Sequence, residues 1–78
     1  MIHATEKYNR IQDPDGIIPE DEPVFLIRAQ DKFSAKIIAI WLDLYRNDPS
    51  HDPERYQQVL RHLEKVIKWP KKKLPGTI

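Results

Sequence analysis

Cysteine is absent from the chain, so no disulfide can brace it and the thiolate ligands of most structural zinc sites are missing. Glycine occurs only as Gly16 and Gly76, which leaves no glycine-rich loop to cradle a phosphate. Ser34 and Ser50 stand outside any Gly-x-Ser-x-Gly context, and His3, His51 and His62 share no metal-ligand spacing. Glu20, Asp21 and Glu22 lie in a proline-flanked stretch, where solvated charge explains them better than acid–base catalysis. Neither an enzyme, nor a bound metal, nor a cofactor is expected.

Long apolar runs are also missing, and residues 1–6 have neither the basic start nor the apolar stretch of a signal peptide. The expectation is a cytoplasmic protein with no membrane contact. Nor is there an excess of one charge. With 13 basic and 12 acidic residues the formal net charge is +1, too small a field to draw the whole molecule to nucleic acid or a lipid surface. The absence of cysteine fits the same reducing compartment.

What is present suffices for a fold. Of 78 residues, 40% are hydrophobic and 32% charged, a balance that supports one small core and argues against disorder. Chains of this length are marginal on their own, and without disulfide or metal the remaining brace is association. The pattern predicts a mainly α, small α+β domain: an extended arm over residues 1–22, a strand–helix–helix core over 23–69 and a basic tail over 70–78.

Within the arm, Asp13, Pro14, Asp15 and Gly16 spell a turn, Pro19 and Pro23 favour extended backbone, and no helix is expected before Asp31. Tyr8, Ile11, Ile17 and Ile18 are its apolar anchors. Residues 24–28 carry β-branched and aromatic side chains without alternating polarity, the mark of a short strand buried on both faces. Such a strand needs a ladder partner, either the arm or another subunit.

A first helix is expected over about 32–46, with Asp31 as its N-cap. Phe33, Ile37, Ile40, Trp41 and Leu44 follow the spacing of one face, and Ile38, Leu42 and Tyr45 add a second stripe. Only Lys32, Lys36, Ala39, Asp43 and Arg46 remain as a seam. So wide an apolar surface predicts a homo-oligomer whose core is shared between subunits. Residues 47–51 end this helix, and Asp52 with Pro53 begins a second over about 53–68, roughly antiparallel to the first. Tyr56, Val59, Leu60, Leu63, Val66 and Ile67 form its apolar face. Trp69 and Pro70 end it.

The candidate ligand site is the joint between strand and first helix. Helix-start amides attract anions, and Arg28, Gln30, Lys32, Ser34 and Lys36 lie close by in sequence, with Trp41, Tyr45 or Trp69 as rings to stack on a base. Capping and solvation are the competing explanation for the same residues. Trp69 beside Lys71, Lys72 and Lys73 interleaves an aromatic plane with charge, which suits a base and its phosphates but also suits a solvated tail.

The run Ile18, Pro19, Glu20, Asp21, Glu22, Pro23, Val24, Phe25, Leu26, Ile27, Arg28, Ala29, Gln30, Asp31 resembles a stretch found in short, uncharacterised proteins of phages and prophages. The resemblance carries no catalytic motif. It implies an accessory protein in the host cytosol, and proteins of that kind include oligomeric sponges that sequester cyclic or ADP-ribose-type nucleotides. The leading expectation is thus a non-enzymatic, homo-oligomeric counter-defence factor that holds a phosphorylated nucleotide signal. The alternatives are a protein-interaction module that docks on a host or phage protein and, third, weak nucleic-acid binding through the lysine tail.

Overall fold

A computed structural model describes residues 1–73 as two strands, one short 3-10 turn and two helices. Strand β1, Ile2–His3, lies parallel to β2, Pro23–Val24, with Ile2 opposite Pro23 and His3 opposite Val24. The arm therefore supplies the ladder partner, with no second subunit needed. The ladder is two residues long because the chain turns away after His3 into the 3-10 turn Glu6–Tyr8. That turn corrects the expectation of no helical structure before Asp31. The strand over 24–28, buried on both faces, is likewise corrected: among the described residues no backbone pairs with it beyond Val24, and Phe25 is 71% exposed.

The rest of the arm closes by local bonds. Gly16 donates to the Asp13 carbonyl with φ of 67°, a left-handed conformation that glycine adopts without steric cost. The Asp13 carboxylate accepts the Ile18 amide at 2.8 Å and the Asp15 amide at 3.2 Å, and these bonds hold its pKa below the usual carboxylate value. Tyr8 and Ile18 are half-buried, whereas Ile11 and Ile17 face solvent.

Helix α1 spans Ser34–Arg46 and α2 spans Pro53–Lys68. The start of α2 follows the local code: Asp52 is the N-cap, its carboxylate accepts the Glu54 amide at 2.9 Å, and Pro53 occupies the first turn. The start of α1 does not. Phe33, not Asp31, stands at the cap position and offers no side-chain bond. Asp31 instead folds a tight turn, accepting the Phe33 amide on its carboxylate at 2.8 Å and the Ser34 amide on its carbonyl at 3.0 Å. Beyond α2, Lys73 bonds by its amide to the Gln30 carbonyl and by its carbonyl to the Lys32 amide, so these backbone groups pair with the tail and not with the first turn of α1.

The helices pack as an antiparallel hairpin. The Tyr45 hydroxyl, in the last turn of α1, accepts the Asp52 amide at 2.7 Å, and at the other end Ser34 and Ile38 share a hollow with Val66. Of the two apolar stripes on α1, the hairpin takes the second. Leu42 is buried and Ile38 and Tyr45 half-buried, while Phe33, Ile37, Ile40, Trp41 and Leu44 remain 39–68% exposed. On α2, Leu63 and Val66 are buried, Tyr56, Val59 and Leu60 half-buried, and Ile67 stays outside. The buried hydrophobic core among the described residues is Leu42, Leu63 and Val66.

Candidate functional site

The joint between β2 and α1 is tied from three directions. Ser34 is 1% exposed, and its hydroxyl donates to the Asp31 carbonyl at 2.7 Å and to that of Ala29 at 3.4 Å. Gln30 is buried beside it. Lys72 reaches back from beyond α2, its ammonium donating to the carbonyls of Ala29 and Val66 at 2.7 Å each. One lysine thereby satisfies a carbonyl near the C-terminal end of α2, where positive charge suits the helix dipole, and fastens that end to the joint.

This packing separates the eight residues singled out from sequence. Gln30 and Ser34 point into the fold. Arg28, Lys32 and Lys36 are exposed, and Arg28 makes no salt bridge among the described residues; Lys32 sits over the Phe33 ring at 5.2 Å. Trp41 and Tyr45 stack on each other, 4.8 Å between centroids and 14° between planes, so each ring has one face taken. His51 meets the edge of Tyr45, and its Nδ1 lies 2.8 Å from the Asp48 carbonyl. The pair thus braces the interhelical loop. Trp69 is half-exposed at the far end of the hairpin.

Around Trp69 the surface is concave. A hollow of about 350 Å³ is walled by Phe25, Ile27, Ile38, Val66 and Trp69, with His62 and Lys65 of α2 among its lining residues. A second, about 320 Å³, lies between Ile37, Ile38, Trp41 and Val59, with Arg55 beside it. Ile27 and Ile38 line both hollows, which makes them parts of one apolar groove bordered by basic side chains of α2. The sequence held a partial signal for it. Arg55, His62 and Lys65 fall on one side of α2, but the rest of the groove is made by α1 together with the irregular segment 25–29, which no periodicity marks.

Among the described residues no group of three His, Cys, Asp or Glu side chains converges as a metal site, and no helix is long and apolar enough to cross a membrane. The lysine tail is described as far as Lys73, and the remainder of 70–78 lies outside the described residues. Comparison with known proteins finds no matching family model, curated protein or solved structure.

Proposed function

We propose that the chain is a non-enzymatic binding protein that works as a homo-oligomer, the seam between copies being its working surface. The observation that carries this reading is the outer stripe of α1, where Phe33, Ile37, Ile40, Trp41 and Leu44 stand at solvent beside a core of three buried hydrophobic residues. A chain of this length rarely draws more than about 3–5 kcal/mol from a single core, so covering that stripe adds to a small margin. The exposed cations Arg28, Lys32 and Lys36 fit a phosphorylated small molecule, and a cyclic or ADP-ribose-type nucleotide, held as a phage-type counter-defence sponge holds it, is the class that the resemblance at residues 18–31 adds. Gln30 and Ser34 leave the ligand set because their side chains are buried in the joint.

A native mass spectrum of protein purified from cells tests both parts together, since it reports stoichiometry and any retained small molecule. A multimer carrying a nucleotide, with Arg28→Ala still multimeric but empty, is the expected result. A multimer that carries nothing, in wild type and variant alike, removes the nucleotide and keeps the assembly. The apolar groove with its basic border favours a second reading, an interaction module that takes an acidic amphipathic segment of another protein. A chain that stays monomeric at high concentration leaves that reading standing in place of the first.

A further inference from the structure

We infer that two copies associate through antiparallel pairing of their α1 helices, with Lys36 of each copy closing on the partner's Asp43. The inference deepens the homo-oligomer reading above and rests on it. Phe33, Ile37, Ile40 and Leu44 are separated by four, three and four residues, the alternation of a coiled-coil seam, and all four are exposed. Their order reads the same from both ends in shape: a large residue, two isoleucines, a large residue. Laid antiparallel about a two-fold axis, Phe33 meets the partner's Leu44 and Ile37 meets the partner's Ile40, each contact made twice, as a closed isologous interface requires.

The charges decide the direction. Lys36 and Asp43 are seven residues apart, so both flank the seam on the same side, each one position before a seam isoleucine or leucine. In the antiparallel arrangement these two flanking positions face each other across the axis, and opposite charges meet at both ends. Side by side in parallel, Lys36 would face the partner's Trp41 instead, the helix dipoles would align unfavourably, and both copies' first-turn lysines would crowd one end. Both flanking residues are free to move into the contact. Lys36 is exposed, and the bond Asp43 makes within the chain, to Arg46 at 3.2 Å, is a surface pair with side chains 61% and 66% exposed.

The patch is large enough for a specific contact. Five large side chains that are 39–68% exposed offer roughly 500 Å² per copy, about 1,000 Å² in the pair, the lower edge of a specific interface. The same register carries Trp41 of each copy to the Ser34 end of the partner's α1.

Charge reversal tests the pairing on the intact chain. Lys36→Glu alone and Asp43→Lys alone each place like charges across both ends and are expected to weaken self-association about tenfold. Mixed together, the two variants have opposite charges at every contact, and a heterodimer at wild-type strength is expected. Sedimentation of each variant and of the mixture reads this directly, with far-UV circular dichroism checking that the exposed substitutions leave the helices intact. Self-association that is unchanged in both single variants, or that the mixture does not restore, overturns the antiparallel pairing while leaving the homo-oligomer standing. A wild-type chain that remains monomeric overturns both.

Discussion

At the scale of single residues, the fold is held by short polar side chains that bond to backbone. Asp52 is the plainest case: Asp52→Ala removes the acceptor for the Glu54 amide and is expected to cost about 1 kcal/mol in urea unfolding, with the midpoint shifted and the slope unchanged. Ser34 is the opposite of what its place in the sequence suggested. Beside Lys32 and Lys36 it reads as a phosphate donor, but whether a hydroxyl faces out or in depends on packing that no local pattern records. Ser34→Ala is therefore expected to lower stability by about 1 kcal/mol while leaving retention of a phosphorylated ligand unchanged in an equilibrium dialysis assay. Arg28, in contrast, emerges into solvent and remains the cation whose removal should matter to an anion.

Asp48 gives the loop between the helices a dependence on acid. The Ser50 hydroxyl at 2.6 Å and the Ser50 amide at 2.8 Å donate to its carboxylate and hold its pKa below 3.8. A depressed carboxylate stabilises the folded state above its unfolded value and loses that contribution as pH falls through its folded value. The loop should then loosen only below about pH 4. Carboxyl-carbon NMR of Asp48 checks the sign: a midpoint above that of a free aspartate contradicts the two hydrogen bonds.

At the scale of elements, legibility follows the range of the interactions that set each boundary. The start of α2 was readable because Asp52, Pro53 and Glu54 determine it among themselves. The start of α1 was not, since the Gln30 carbonyl and the Lys32 amide are taken by Lys73, far along the chain, and the helix begins at Ser34. The strand was overextended for the same reason, its length being fixed by Ile2 and His3 at the other end of the arm. Of the candidate site, the exposure of Arg28, Lys32 and Lys36 was legible from their charge and the groove was not, because part of its lining comes from residues 25–29, which have no period to detect. The two stripes on α1 were visible, but which one faces α2 is a property of the pair.

That choice makes the stripes separable by mutation. Leu42→Ala empties a buried position and is expected to cost about 2–5 kcal/mol, enough to unfold much of the population of so small a domain by circular dichroism. Ile40→Asp changes a position that is 53% exposed and should leave the dilute monomer within about 0.5 kcal/mol of wild type while abolishing association.

At the scale of the whole molecule, the described chain is broad and thin, 34 by 31 by 17 Å. Its radius of gyration is 14.1 Å, whereas a compact chain of this length has about 11–12 Å. A thin body with three buried apolar residues among those described has traded closure for surface, and part of the apolar surface it leaves open is the outer stripe of α1. Association then contributes to stability by mass action, so Tm should rise as protein concentration is raised.

Sedimentation equilibrium of the wild-type chain from low micromolar to near-millimolar concentration tests the shared-surface claim most directly. The expected result is a mass that climbs from the 9.3 kDa monomer toward twice that value, with Ile40→Asp held at the monomer throughout. A wild-type chain that stays at 9.3 kDa over the whole range, soluble and folded, contradicts it.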